Sequence, residues 1–221
     1  MKASDVLKHV DHTLLKADST WEQIQKICDE SIKYKTASIC IPPCYIKRIY
    51  DKYGDTVNIG TVIGFPLGYS ITEAKVAEAK KAIEEGANEI DMVINITDAR
   101  NGDFGKIEAE IRIIRNVCKN KILKVIIETC YLTKEEKIKL CKVITNAKAD
   151  FIKTSTGFGT TGAIIEDIRL LKENIGPNVK IKAAGGMKTY DDLIAFLKEG
   201  AERLGTSSAI KIIEGMKSNS Y

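Results

Sequence analysis

Short β-branched segments alternate with longer amphipathic segments along the whole chain, which is the pattern of repeated βα units around a parallel sheet. Neither GxGxxG nor GxxxxGK[ST] follows the early strands, so open nucleotide-binding sheets lack their main signature. Eight strands are predicted, at residues 9–14, 36–41, 57–64, 88–94, 122–128, 150–154, 179–184 and 202–206. The sequence therefore predicts an α/β protein with a closed (β/α)8 barrel, the TIM-barrel fold.

Helical patterns fill the intervals between these strands. A short helix is predicted to open the chain at Ala3–Leu7. Amphipathic runs typical of helices lie at Thr72–Glu85, Lys106–Cys118, Lys134–Asn146, Ile164–Lys172 and Ala209–Met216. The 221 residues are near the lower limit for such a barrel, and no low-complexity linker divides them. We therefore expect one domain, residues 1–221, with a short N-terminal helix.

Charge and cysteine usage restrict the partners and the compartment. The net charge of +4 is spread over mixed faces without a basic block, which argues against nucleic acid and mildly favours small anions. Six cysteines form no CxxC pair and are typical of reduced thiols, so a cytoplasmic location is expected. The N-terminus carries charges and lacks an apolar signal core, and the longest uncharged stretch, 56–72, is broken by glycines and Pro66. We expect neither export nor membrane insertion.

The segment 149–157 is an apolar strand that ends in Lys153 and continues into small hydroxyl residues and glycine. Active sites of TIM barrels lie at the carboxyl ends of the strands. Desolvation there disfavours the charged amine, so Lys153 is a candidate nucleophile for a carbonyl group. The structural alternative is a salt-bridged lysine, or one whose ammonium reaches out to water.

The next predicted strand carries Lys182 near its carboxyl end, and a second ammonium beside Lys153 would lower the pKa of at least one of the two. Lys180 shares a face with Lys182 by period-two alternation, so geometry alone does not choose between them. Lys180 is expected nearer the amino-terminal rim, where water can solvate it.

Asp91 is expected to point into the barrel from the strand Glu89–Val93, with Val93 and Asn95 on the same face. One interpretation is a buried counter-ion for one of the lysines. The other is a carboxylate that transfers protons during carbonyl addition.

Two loops are candidates for a phosphate site. Gly185-Gly186 follows the seventh strand and Gly205-Thr206-Ser207-Ser208 follows the eighth. In TIM barrels these loops commonly bind phosphate through backbone N–H groups and a helix N-terminus. Glycine is also common in ordinary turns, so the pair of loops carries this hypothesis.

Metal chemistry is not expected, because the only histidines are His9 and His12 and no cysteine or carboxylate cluster offers a zinc set. Cys40 should face the barrel interior by alternation with Ser38. Its first interpretation is as a small packing residue without a catalytic step.

Five motifs, in order along nearly the whole chain, resemble those of the deoxyribose-phosphate aldolase family. In particular, Lys153 followed by Thr-Ser-Thr-Gly-Phe-Gly is similar to the shorter branch of that family. The motifs are Asp11-His12-Thr13, Glu89–Val93, Phe151–Gly157, Lys182–Gly186 and Gly205–Ser208.

This resemblance implies a Schiff-base lyase that needs no cofactor and no metal. Lys153 would form the Schiff base, and Asp91 and Lys182 would exchange protons with the substrate. Longer family members can carry a lysine where this chain has Phe158, so one cationic phosphate contact is missing. Phosphate contacts are implied for Gly157, Gly185, Gly186, Ser207 and Ser208, and substrate-side positions for Asp11, Thr13 and Cys40.

The expected reaction is reversible cleavage of 2-deoxy-D-ribose 5-phosphate to D-glyceraldehyde 3-phosphate and acetaldehyde, in carbohydrate degradation. One alternative is a phosphosugar isomerase or synthase on the same barrel, which would form no covalent adduct. The other is a non-catalytic phosphosugar-binding protein whose Lys153, Asp91 and Lys182 form only a buried ion network. Self-association as a homo-oligomer, a dimer at first guess, is expected on general grounds.

Tyr221, the last residue, follows a polar tail. If the last helix descends from the active-site face, the five residues after it are long enough to return Tyr221 to the barrel mouth. There its phenol would take part in proton transfer or cover the imine. The simpler interpretation is a frayed terminus.

Overall fold

The computed structural model describes residues 1–218, and Tyr221 lies outside them. Eight parallel strands follow one another around a closed barrel, in which the last strand pairs with the first. The (β/α)8 fold predicted from the sequence is thereby confirmed. The strands are β1 (Val10–Thr13), β2 (Ser38–Ile41), β3 (Ile59–Ile63), β4 (Glu89–Val93), β5 (Ile122–Ile126), β6 (Phe151–Lys153), β7 (Lys180–Ala184) and β8 (Arg203–Thr206).

Ten α-helices surround this barrel in the described part of the chain. Capping boxes at Thr20, Thr133 and Thr189 begin three of them, because each threonine accepts a hydrogen bond from a backbone N–H of the first turn. The helices are α1 (Ala3–Leu7), α2 (Trp21–Tyr34), α3 (Ile46–Tyr53), α4 (Thr72–Glu84), α5 (Ile96–Asn101), α6 (Phe104–Cys118), α7 (Lys134–Asn146), α8 (Ile165–Asn174), α9 (Tyr190–Glu199) and α10 (Ala209–Ser218).

The predicted boundaries agree with these elements to within a few residues. Every observed strand lies inside its predicted segment and is shorter than it. Helix α6 begins at Phe104 rather than Lys106, and α8 continues to Asn174 rather than Lys172. Helix ends are set by capping and tertiary contacts, and the hydrophobic periodicity of the sequence does not reveal either.

The two faces of the barrel wall differ in chemistry. Outward side chains such as Ile39, Ile90 and Ile152 are completely buried against the helices and form one continuous apolar core. Inward side chains are largely polar or charged, and they are buried as well. Burial of the outer face supplies the stabilising free energy, so the interior can hold charged groups.

A buried ion pair outside the barrel supports the strand that carries Asp91. The ammonium of Lys75 on α4 donates to the Val93 carbonyl at the end of β4 (2.9 Å) and to Glu110 of α6 (2.8 Å). Lys75 is completely buried. Two helices are thus attached to the carboxyl end of β4, directly beyond the Asp91 position.

Candidate active site

Inward side chains of alternate strands form layers across the barrel, as strand register and period-two alternation require. Two inward positions are glycines, and Gly205 leaves room for the long Lys182 side chain. A Cβ on Gly205 would come within 3.0 Å of the Lys182 side chain, and one on Gly60 within 2.6 Å of the Ile39 carbonyl oxygen. From the amino-terminal end, successive layers contain Ser38, Glu89, Phe151 and Arg203; then Asp11, Gly60, Lys124 and Lys182; then Cys40, Asp91, Lys153 and Gly205.

The structure brings Lys153, Asp91 and Lys182 into direct contact. Both amines donate to the same carboxylate oxygen, Asp91 Oδ2, at 2.8 Å from Lys153 and 2.7 Å from Lys182. All three side chains are buried. Lys180, the alternative to Lys182, is half exposed at the lower rim and pairs with Glu202 at 3.4 Å. The register therefore selects Lys182 as the lysine beside Lys153.

Four further charged residues complete this cluster from below. The Lys124 ammonium lies 2.8 Å from Asp91 Oδ1 and 2.5 Å from Glu89 Oε2. Asp11 binds Lys182 at 2.5 Å and accepts a short hydrogen bond from Arg203. Sequence reasoning did not single out Lys124, Glu89 or Arg203. A lysine inside the apolar strand Ile122–Ile126 is the signal that was available for Lys124.

The electrostatic environment separates Lys153 from the other cations. Burial lowers the pKa of Lys153, and the Lys182 charge lowers it further, against the opposing effect of Asp91. The pKa of Lys182 is raised by Asp11 and Asp91 despite burial. The pKa of Lys124 is likewise held well above its usual range by Asp91, Asp11 and Glu89, despite burial. Lys153 is therefore the amine of this cluster that releases its proton most readily.

Asp91 and Cys40 lie in the same layer as Lys153 but differ in charge. Burial alone would raise the pKa of the Asp91 carboxyl, but Lys124, Lys153 and Lys182 together hold it well below its usual range. Burial raises the pKa of the Cys40 thiol. The layer thus contains an ionised carboxylate, a neutral thiol and a readily deprotonated amine.

A cavity of about 530 Å³ opens above this cluster at the carboxyl ends of the strands. Lys153 reaches its floor, whereas Asp11 does not contact it, because Asp11 lies one inward position below Thr13 on β1. Cys40 is buried beneath the cavity and does not line it either. The other expected substrate-side and phosphate residues do line it: Thr13, Gly157, Gly185, Gly186, Ser207 and Ser208.

Glycines shape one side of the cavity through left-handed backbone conformations. Gly185 has φ +71° and Gly186 has φ +79°, a region that L side chains rarely adopt. A Cβ on Gly162 would come within 2.5 Å of the Gly185 backbone, so the β6 and β7 loops pack backbone against backbone. Beside them, Ser208 directly precedes helix α10, whose N-terminus favours anions.

The mouth of the cavity combines an aromatic wall with two cations. Phe158 is about half exposed and packs edge-on against Phe65, with ring centroids 5.3 Å apart. Lys16 and Lys188 line the same cavity. The positive charge absent at position 158 is therefore present on other loops of the mouth.

Glu128 is a buried residue that sequence reasoning missed. It follows Ile127 after the end of β5 and has a left-handed conformation, with φ +52°. Its carboxylate accepts hydrogen bonds from the Thr156 backbone N–H (3.2 Å) and the Thr156 hydroxyl, and that hydroxyl accepts one from the Phe158 N–H at 2.9 Å. Glu128 thereby fixes the turn 156–158, which carries Gly157 into the cavity wall. The conformation has no local sequence signature in a glutamate.

Two further observations concern metals and membranes. Within residues 1–218, no group of three or more His, Cys, Asp and Glu side chains is arranged to hold a metal ion. None of the helices in this part of the chain combines the length and the apolar surface that a membrane span requires.

The closed barrel, with its buried lysine and carboxylate cluster at the floor of a cavity, defines a TIM-barrel lyase of the aldolase type. The chain belongs to the DeoC/LacD family of aldolases, whose profile matches residues 5–216.

Individual relatives match over the full chain. A deoxyribose-phosphate aldolase from Clostridium botulinum (strain Alaska E43 / Type E3) is 63% identical over 221 residues, which cover 100% of both chains. The solved structure named "QR15, an Aldolase" is 35% identical, with a TM-score of 0.92 and 97% of each chain covered. The tetrameric deoxyribose phosphate aldolase from Aeropyrum pernix is 29% identical, with a TM-score of 0.88, covering 99% of this chain and 93% of its own.

Proposed function

We propose that this chain is a Schiff-base aldolase that reversibly cleaves 2-deoxy-D-ribose 5-phosphate to D-glyceraldehyde 3-phosphate and acetaldehyde, with Lys153 as the nucleophile. The observation that carries the proposal is the buried Lys153 amine at the cavity floor, which shares one Asp91 oxygen with Lys182. Full-length similarity to a deoxyribose-phosphate aldolase supports the choice of substrate.

The first half of the reaction joins the sugar to Lys153. The uncharged amine adds to the C1 aldehyde carbon, and loss of water from the carbinolamine gives an iminium ion. Asp91, directly or through water, removes the proton of the C3 hydroxyl. The C2–C3 bond breaks, its electron pair moves into the iminium to form an enamine, and C3 becomes the aldehyde carbon of D-glyceraldehyde 3-phosphate.

The second half releases acetaldehyde. Lys182, which contacts the same Asp91 oxygen as Lys153, gives a proton to the enamine carbon that was C2 and takes back from Asp91 the proton of the C3 hydroxyl. Water then adds to the resulting iminium and expels acetaldehyde, which frees the Lys153 amine. The Lys182 charge also keeps Lys153 unprotonated between cycles, since both are buried side by side.

The substrate phosphate is held at the glycine loops. Gly157, Gly185, Gly186, Ser207 and Ser208 line the cavity on this side, and the Gly185 N–H already donates to the Gly205 carbonyl oxygen at 3.2 Å. The α10 N-terminus and the two mouth lysines add positive potential. The chain would work as one domain in the cytoplasm and as a homo-oligomer. A dimer is the simplest form, although the Aeropyrum pernix relative is described as tetrameric.

Reductive trapping tests the covalent step. Incubation with acetaldehyde and borohydride should attach one ethyl group to the Lys153 amine, detected by intact mass and peptide mapping. Lys153→Arg keeps a cation in the cluster but has no attacking amine, so it should lose both labelling and cleavage. Labelling that persists in Lys153→Arg would exclude this assignment. Absence of any adduct in the active wild type would favour the isomerase, and an inert, unlabelled protein would favour the binding protein.

A further inference from the structure

Seven charged side chains among the described residues occupy the barrel below the cavity, and each has its ionic partners within the set. Their side chains are at most 14% exposed. The proposed reaction uses three of them and leaves the lower ones without a task. The seven are Asp11, Glu89, Asp91, Lys124, Lys153, Lys182 and Arg203.

The formal charges of this set do not balance when every group is ionised. Three carboxylates face four cations, so a fully protonated set carries one positive charge in excess. An uncompensated charge in a buried, weakly polarisable interior is costly. The set is neutral when one lysine has lost its proton. Lys124, Lys182 and Arg203 have raised pKa values, and only the pKa of Lys153 is lowered.

Arg203 and Glu89 form the lowest layer of the set and contact no part of the cavity. The Arg203 guanidinium donates to both Glu89 oxygens, at 3.0 and 3.2 Å, and to Asp11. It also lies over the Phe151 ring, 5.7 Å from the centroid. Asp11 continues the chain of ion pairs to Lys182, and Glu89 continues it to Lys124. Both branches end at Asp91, which binds Lys153.

We propose that Arg203 and Glu89 are positioning residues that keep the Lys153 amine uncharged by balancing the total charge of the barrel interior. This inference depends on the proposed Schiff-base function. The ionisable inward side chains around Lys153 come from six other strands, and Asp91, Lys182 and Cys40 among them act on the Lys153 amine directly. These side chains are Asp11 (β1), Cys40 (β2), Glu89 and Asp91 (β4), Lys124 (β5), Lys182 (β7) and Arg203 (β8).

The proposal predicts that substitutions of the two partners of one ion pair shift the pKa of Lys153 in opposite directions. In Arg203→Met, the interior with uncharged Lys153 carries one excess negative charge, so protonation of Lys153 restores neutrality and its pKa rises. In Glu89→Gln the excess charge is positive, and the pKa of Lys153 falls. The double variant is again neutral with uncharged Lys153, so its pKa returns toward the wild-type value.

The experiment measures the rate of imine formation with acetaldehyde across the pH range by borohydride trapping at Lys153. The rate should rise with pH along an alkaline limb, as Lys153 loses its proton. Arg203→Met should shift this limb to higher pH by on the order of one unit, at an effective interior dielectric constant of about 20. Glu89→Gln should shift it to lower pH. At pH 7, Arg203→Met should therefore form the imine about tenfold more slowly. The double variant should restore most of this loss. Arg203→Lys keeps the charge and should leave the limb near its wild-type position.

A purely structural role for the pair predicts a different result. The losses in the rate of imine formation caused by the two single substitutions would then add in the double variant. The alkaline limbs of both single variants would stay at the wild-type pH or shift in the same direction. Either outcome overturns the proposal. If Arg203→Met fails to fold, the isosteric variant Glu89→Gln still tests the proposal. An alkaline limb that stays at the wild-type pH or shifts to higher pH in Glu89→Gln would contradict charge balance. Failure of the wild type to label at Lys153 would defeat the proposed function itself, which separates the two hypotheses.

Discussion

At the scale of single residues, Asp91 has two functions in the proposed reaction, and one substitution can separate them. Its charge raises the pKa of Lys153, and its oxygen contacts both catalytic amines. The first function opposes formation of the neutral nucleophile, whereas the second serves proton transfer. Asp91 is thus a compromise between binding the amines and keeping Lys153 reactive.

We predict that Asp91→Asn retains imine formation at pH 7 but loses cleavage. Removal of the negative charge lowers the pKa of Lys153 further, while an amide cannot take the C3 hydroxyl proton. Loss of a general base typically costs 10²- to 10⁴-fold, and we expect a decrease in turnover of about that size. Borohydride labelling and the rate of aldol cleavage are measured on the same sample. A folded Asp91→Asn protein that fails to label Lys153 would contradict this division.

At the scale of elements, Glu128 connects the end of β5 to the turn after β6. Because this turn carries Gly157 into the cavity wall, we expect Glu128 to affect the proposed phosphate binding rather than bond cleavage. A buried carboxylate that accepts two or more hydrogen bonds holds such a turn more firmly than packing alone.

We predict that Glu128→Gln raises KM for 2-deoxyribose 5-phosphate about tenfold, with kcat little changed, because loss of a buried charged hydrogen bond costs about 1–3 kcal/mol. Cleavage of unphosphorylated 2-deoxyribose should stay at its wild-type rate. Glu135→Gln, which removes a charge from an exposed position on nearby α7, is the matched control and should change neither substrate. Equal losses on both substrates would assign Glu128 to general folding of the site.

At the scale of the whole molecule, the interior ion cluster couples stability to pH. Lys182, Lys124 and Arg203 overcome the effect of burial and hold the pKa of Asp11 below its ordinary value, and cations likewise lower the pKa of Asp91. A depressed carboxyl pKa stabilises the folded state above the unfolded-state value of about 3.9. This contribution is lost as the pH falls through the folded-state values.

We predict that the free energy of unfolding decreases steeply below about pH 4, as measured by urea titrations at pH 7, 5 and 3. Asp11→Asn should be less stable at pH 7, because Lys182 and Arg203 lose a partner, but it should lose less stability between pH 5 and pH 3. The same acid-dependent loss in both proteins would show that Asp11 is not part of the coupling.

The sequence by itself determined the number of strands and their order along the chain, because the periodicity of hydrophobic residues can be read from short segments. Alternation within the strands also predicted that Asp91 points into the barrel and that Lys182 shares a face with Lys180, whereas the position at a strand end singled out Lys153. Strand geometry left the choice between Lys180 and Lys182 open, and the resemblance implied a substrate-side position for Asp11, which lies below the cavity and does not line it. Both depend on how far along the barrel axis a residue lies.

Only the tertiary structure decided which charges meet. Arg203 contacts Glu89 because barrel closure brings β8 and β4 to one layer, although 114 positions separate them in the chain. Glu128 reaches Thr156 through a left-handed backbone conformation that its sequence does not announce. Local patterns specify which face of a strand a side chain occupies. The strand register specifies its height in the barrel, and that height decides whether a buried charge lies beside the reacting amine or serves only as a distant counter-ion.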